Sequence, residues 1–387
     1  MPRIALVISV CFVLGLAGFV TADTAGSVYD PSDYASLGVL DLSGASGTLT
    51  FNTDAGDVSW SGTGETSVPT GSGIGTTAAN ESGKVSMGLF TYDSINIGAG
   101  VTVAVSGNRG VVLASKADLT FDGTLDVSGT AGSVGSAGAG GSGAEGGVRT
   151  SGFQSNPPGN SAGNGGAPGV YDGVGYGAGI GSERNYHAAG GSGGYAAEGS
   201  DPIGASVGGG LIYGDGALTN LYGGSGGGGA YETGGGNAGG GGGGGSVALI
   251  ARENLVLDGT LAAYGGNGGE YVVGGDKQAC GGPGSGGGIL IVGGTVSFGS
   301  SAVVDAYGGR SKIGDSDEKH AGGGRVAVYV GAFGTGWPDD VGVQLSRSGR
   351  SATAAQLSTV AGLTVAGSNP VDVEGSASAG TFHVVWH

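Results

Sequence analysis

The sequence predicts an all-β protein: a repetitive parallel β-solenoid-like stack with polyglycine-rich excursions, PPII-like or disordered. Three observations predict it. Short segments alternate apolar and polar residues, the period-2 pattern of half-buried strands. No helical period of useful length interrupts them. Glycine supplies 97 of 387 residues, including seven in a row at 239–245, and the runs alternate with strand patterns in a repeating order. A flexible linker shows no such order.

Residues 1–22 read as a secretory signal: Arg3, an apolar run from Ile4 to Val20, then Val20-Thr21-Ala22 as a small-residue cleavage site. Residues 23–86 form an N-terminal β segment, where Val39-Leu-Asp-Leu-Ser43, Gly47-Thr-Leu-Thr-Phe-Asn52 and Asp57-Val-Ser-Trp-Ser61 alternate cleanly. Residues 87–330 are the glycine-rich β repeat region. It opens with four short strand patterns at about ten-residue spacing, the last being Leu119-Thr-Phe-Asp-Gly-Thr-Leu125. Residues 331–387 read as a C-terminal β cap.

Between 130 and 203 the chain is mostly Gly, Ala and Ser, and order and disorder both fit it. Tyr171, Tyr176, Tyr186 and Tyr195 punctuate this part as packing points over a glycine backbone. The repeat is plain further on. Ser246-Val-Ala-Leu-Ile-Ala251 with Leu255-Val-Leu-Asp-Gly-Thr-Leu261 and Tyr264-Gly-Gly is one copy; Gly288-Ile-Leu-Ile-Val292 through Tyr307-Gly-Gly is the next; Gly324-Arg-Val-Ala-Val-Tyr-Val330 opens a third. Gly288 and Gly324 lie 36 residues apart, Tyr264 and Tyr307 lie 43 apart. A period of this size signals units that bury their apolar faces against neighbours. Because glycine lacks Cβ, adjacent runs can approach closely and satisfy each other's N–H and C=O groups, at a high cost in conformational entropy.

Charge narrows the partners. Only 12% of residues are charged, against about 25% in ordinary soluble domains, so high-charge disorder is excluded as the origin of the composition. After removal of the signal, 13 Lys+Arg stand against 31 Asp+Glu, a net −18. Such a surface repels nucleic acid and anionic membrane, and no membrane span is expected after signal cleavage. Polysaccharide or other surface components are the expected partners; the oligomeric state stays open. Only Cys280 remains in the mature chain, so no intramolecular disulfide forms.

No catalytic constellation is present, and no cofactor is expected. The one candidate metal set is Asp315, Asp317 and Glu318, whose carboxylates suit Ca²⁺. The segment lacks the EF-hand spacing and the Gly-Gly-x-Gly-x-Asp nonapeptide, which favours a solvated loop. Asp339 and Asp340 form a second acidic pair. His187, His320, His383 and His387 are too scattered for a metal site. Asp122, Asp126, Asp258 and Asp305 recur at repeat-related positions; Asp122 and Asp258 sit in Asp-Gly-Thr turns, which favour Asp for geometry alone. Asn80-Glu-Ser82 matches a glycosylation sequon.

The Tyr213-Gly-Asp-Gly-Ala-Leu218 segment, its following glycine runs, Ser-Val-Ala-Leu-Ile-Ala, Leu-Asp-Gly-Thr-Leu and Gly-Gly-Gly-Arg325-Val resemble the glycine-rich repeat region of large secreted bacterial surface proteins. The resemblance covers roughly 87–330 and implies an exported, β-rich, non-catalytic surface or matrix protein, most of whose relatives have no assigned activity. The leading expectation is therefore a secreted structural or adhesive protein at the cell surface or in the extracellular matrix, working by many weak contacts. A carbohydrate-active solenoid enzyme, a polysaccharide lyase or hydrolase, is the alternative. A third reading, an ice- or mineral-surface binder, needs a flat regular array of Thr or Asp; the sequence displays only short pieces such as Thr48 and Thr50.

Overall fold

A computed structural model describes residues 30–64, 66–79, 86–134, 136–141, 178–184, 188–201, 209–214, 218, 221–232, 236–273, 276–313 and 317–330, with the strand segments 342–346, 363–365 and 381–386. The signal segment, the sequon, Tyr171, Tyr176, Tyr186, His187, His387, Asp315 and the Asp339–Asp340 pair lie outside the described residues. Among those described, the only helical element is a 3-10 turn, Pro31–Asp33, capped by Asp30, whose carboxylate accepts from the Ser32 N–H.

The strands follow in chain order. The first ten are β1 (Val39–Leu42), β2 (Ser46–Asn52), β3 (Asp57–Thr63), β4 (Thr76–Ala79), β5 (Ser86–Tyr92), β6 (Ser94–Ile97), β7 (Val101–Ser106), β8 (Gly110–Ser115), β9 (Leu119–Phe121) and β10 (Thr124–Asp126). Then come β11 (Ser182–Arg184), β12 (Ala188–Ala189), β13 (Ala230–Glu232), β14 (Gly236–Ala238), β15 (Ser246–Leu257), β16 (Thr260–Ala262), β17 (Glu270–Val273), β18 (Asp276–Cys280), β19 (Gly288–Phe298) and β20 (Val303–Asp305). The last are β21 (Arg310–Ile313), β22 (Asp317–His320), β23 (Arg325–Val330), β24 (Gly342–Ser346), β25 (Leu363–Val365) and β26 (Thr381–Trp386).

Two large sheets hold most of them. A 12-stranded sheet runs β1-β6-β9-β15-β19-β23-β26-β24, with β4, β5, β8 and β25 paired alongside. A 6-stranded sheet runs β20-β16-β10-β7-β2-β3. Alternation decides which face of each strand is buried: Val101 and Val103 are buried while Thr102 is exposed, and Leu49 and Phe51 are buried between half-exposed threonines. The inward residues of both sheets form one core, with Phe51 and Phe90 in ring contact at 4.6 Å. Burying one such side chain contributes roughly 1.5–3 kcal/mol. The other face of the large sheet, Val112, Ala248, Ile250, Leu290 and Ala327, is covered by Tyr195, Leu218, Leu221 and Tyr222. Of the four tyrosines picked out between 130 and 203, Tyr195 is thus fully buried.

The expected solenoid stack is corrected by this topology. The large sheet is mixed, with β4–β5 and β24–β26 antiparallel. β2–β3 is antiparallel too. Hairpins β13–β14, β17–β18 and β21–β22 make three further small sheets. No sheet closes into a barrel among the described residues. One 12-residue strand, β15, pairs with both β8 and β9 on one side and β19 on the other, with a register shift between Ala251 and Asn254. Repeat-related residues still become neighbours: Ser246, Gly288 and Arg325 lie across from one another, and Tyr264 stacks on Tyr307 at 4.0 Å.

The glycine runs are not excursions. Residues 239–245 are buried and bonded sideways to five other segments. Their N–H groups at 239, 242 and 245 donate to Ser133, Thr130 and Val127 carbonyls at 3.0, 3.0 and 2.7 Å. Those at 241 and 244 donate to Gly282 and Ser285, both at 2.9 Å. The carbonyls of 240 and 243 accept from Gly138 and Gly141, those of 241 and 244 from Gly227 and Gly224, those of 239 and 242 from Gly269 and Gly266. Each neighbour is met at every third residue, the repeat of an extended chain with three residues per turn and no internal hydrogen bond. Here lies the physical reason for the correction. A β-strand offers two bonding edges and stacks in one dimension. A three-fold glycine chain directs its bonds around its axis and packs in two, so the runs gather into a layer of their own instead of forming the side of a coil.

Candidate functional site

The outward face of the 6-stranded sheet carries an aligned row of like residues. Each strand that builds it places apolar residues inward at every second position, so the residues between them point to solvent. Register then aligns them. Thr48 lies opposite Thr102, Thr102 opposite Thr124, and Thr124 opposite Thr260; Ser61 and Val303 end the row. Four threonines on four adjacent strands stand about 4.8 Å apart, the strand spacing of a sheet. Thr102 and Thr124 are exposed, Thr48 and Thr260 half-exposed. None of the four hydroxyls has a hydrogen-bond partner among the described residues. Along β2 and β3 the neighbouring outward positions are Ser46 and Thr50, and Ser59 and Thr63, all uncharged.

Carboxylates border the row on the β10–β16–β20 side. Asp122 and Asp258 precede Thr124 and Thr260 by two residues; Asp126 and Asp305 follow on β10 and β20. Burial, and next the Asp258 carboxylate, push the Asp122 carboxyl above its ordinary value. Three of the four acids have local tasks. Asp126 accepts from the Ser128 N–H at 2.8 Å, Asp258 from the Ser301 N–H at 2.6 Å, and Asp305 from the Tyr264 hydroxyl at 2.9 Å. Burial, then Asp305, raises the Tyr264 phenol. These acids therefore fix turns and a tyrosine, as the Asp-Gly-Thr pattern suggests.

Of the other candidates, Asp315, His187, His387 and the Asp339–Asp340 pair lie outside the described residues. Asp317 and Glu318 lie on β22, paired with Ile313 and Lys312 across the hairpin. Among the described residues no group of three or more His, Cys, Asp or Glu is placed to hold a metal ion. His320 is half-buried, its N–H bonded to the Ser200 hydroxyl at 3.1 Å; His383 lies on β26. Cys280 is buried, its thiol against the Gly281 carbonyl. Among the described residues no helix is long and apolar enough to cross a membrane.

Sequence reasoning singled out Thr48 and Thr50 but missed Thr102, Thr124 and Thr260. The signal was present as single outward threonines between inward apolar residues, in Val-Thr-Val and twice in Gly-Thr-Leu. Only pairing register makes them a row. Compared with family models, with curated proteins and with solved structures, the chain gives no match.

Proposed function

We propose that the protein is an exported, non-catalytic structural or adhesive protein that works outside the cell, holding flat faces against an extended surface. The observation that carries this reading is the buried, cross-bonded glycine layer at residues 239–245, which runs directly into β15 of the large sheet and is bonded to the segments that follow β10 and β16 of the 6-stranded sheet. It makes a stiff body without disulfides, and stiffness lets many weak contacts form with little further loss of entropy. The secretory pattern of residues 1–22, the acidic surplus and the resemblance to glycine-rich bacterial surface proteins support the location. Polysaccharide and other surface components remain the partner class that this reading implies.

Expression of the full chain in a bacterial host tests it. The expected product is found in the medium or on the cell surface, begins at Asp23, and resists protease. Retention in the cytoplasm with residues 1–22 intact overturns the export reading. Turnover of acidic or neutral polysaccharides by the purified protein overturns the non-catalytic one.

A further inference from the structure

The threonine row names a ligand class, and the inference rests on the scaffold reading above. We propose that the outward face of the 6-stranded sheet binds the ordered water of an ice surface. The row Thr48-Thr102-Thr124-Thr260 repeats one hydroxyl and one methyl at the strand spacing, about 4.8 Å, close to the repeat of oxygens in the ice lattice. The hydroxyls have no protein partner among the described residues and are free to hydrogen-bond outward. The methyls favour ordered water beside them.

Charge selects the occupant. The chain carries a net −17, yet the outward positions of β2 and β3 beside the row carry Ser, Thr and Asn, except at Asp57. The Asp122, Asp126 and Asp258 carboxylates that border Thr124 and Thr260 repel an anionic partner, and within the row itself a neutral lattice meets no charge to desolvate. No aromatic side chain stands in the row, so it lacks the rings on which sugar faces stack. The second outward row, on the large sheet, supplies the contrast. There the aligned positions are Asp41, Asn96, Thr120, Val256 and Ser297, five positions with five residue types and no repeating chemistry. Rigidity completes the match, because a lattice rewards only groups held in fixed register.

The test measures freezing-point hysteresis and the shape of single ice crystals grown in the purified full chain. The expected result is hysteresis with faceted crystals for the natural protein and for Thr120→Lys on the other face. Thr102→Lys and Thr124→Lys should abolish both effects while circular dichroism and the thermal midpoint stay unchanged. Thr102→Val, which keeps the methyl, should lose less than Thr102→Lys and separates lattice contact from misfolding. Three outcomes overturn the proposal: no effect of the natural protein on ice, equal activity in folded Thr102→Lys, or equal loss in Thr120→Lys. Retention on microcrystalline cellulose without any effect on ice also overturns it, and leaves the scaffold reading to its own export test.

Discussion

Gly242→Ala is the sharpest perturbation of the glycine layer. Gly242 donates to the Thr130 carbonyl at 3.0 Å and accepts from the Gly266 N–H at 2.7 Å. A methyl there would be built into the carbonyl of Ala139, with the Gly140 nitrogen 2.8 Å away. Both obstacles are backbone, which cannot rotate aside. Either the neighbouring run moves, or both hydrogen bonds open in a site closed to water. Each buried group left unpaired costs about 1–3 kcal/mol, and overpacking adds about 1–3 kcal/mol. The reduced freedom of the unfolded alanine chain returns about 0.4–1 kcal/mol. The net loss is then roughly 2–9 kcal/mol, a large share of the 5–15 kcal/mol typical of a domain. Gly44→Ala is the control, since its new methyl meets nothing within 4 Å; it should be neutral or gain up to about 1 kcal/mol. Urea titration, with hydrogen exchange read at residues 239–245, measures both. A Gly242→Ala protein as stable as Gly44→Ala, with unchanged exchange protection, would refute the reading of a close-packed, cross-bonded layer.

Other sites give further expectations. Arg325 is buried; its guanidinium donates to the Tyr213 carbonyl at 2.9 Å and lies 5.2 Å from the Tyr195 ring centroid. Arg325→Met should therefore destabilise by about 2–4 kcal/mol, and Arg325→Lys should recover only part, because an ammonium lacks the planar fork; equal midpoints for all three would sink this. The Tyr92 hydroxyl is buried with no partner among the described residues, so Tyr92→Phe should raise the urea midpoint, by about 1 kcal/mol in stability. Burial raises the Tyr92 phenol, and burial with Asp305 raises that of Tyr264, both above the ordinary 10.0. A raised phenol contributes stability that is complete below pH 10 and lost as pH climbs above it; Tyr92→Phe should flatten that alkaline loss, and an unchanged slope counts against it. Asp122 is raised by burial and by Asp258, so its contribution is complete below the ordinary carboxylate range and lost as pH rises through it. Asp122→Asn should gain on the natural protein between about pH 3 and pH 7, and a constant difference between the two stability curves would exclude that linkage.

Much of the strand content was legible because alternation is a local property. Leu49, Phe51, Val101 and Val103 are inward for the same reason that Thr50 and Thr102 are outward, and neighbouring residues alone encode it. The repeat was equally plain: Tyr264 and Tyr307, 43 residues apart, are stacked side by side. The stacking mode was not legible. Whether copies coil as a solenoid or share mixed sheets depends on which edge each strand finds, and β15 finds both β8 and β9. Composition marked the glycine runs, but the five neighbours of residues 239–245 come from segments between 127 and 285, and hydrogen-bond direction along a chain without side chains leaves no trace in the residue order. The threonine row has the same origin. Thr48 and Thr102 are 54 residues apart and Thr124 and Thr260 are 136 apart. The sequence by itself determined that each of these threonines faces outward, since inward apolar neighbours force it. Tertiary structure alone decided that they face outward side by side, because strand register is fixed by the whole buried core and not by any one strand.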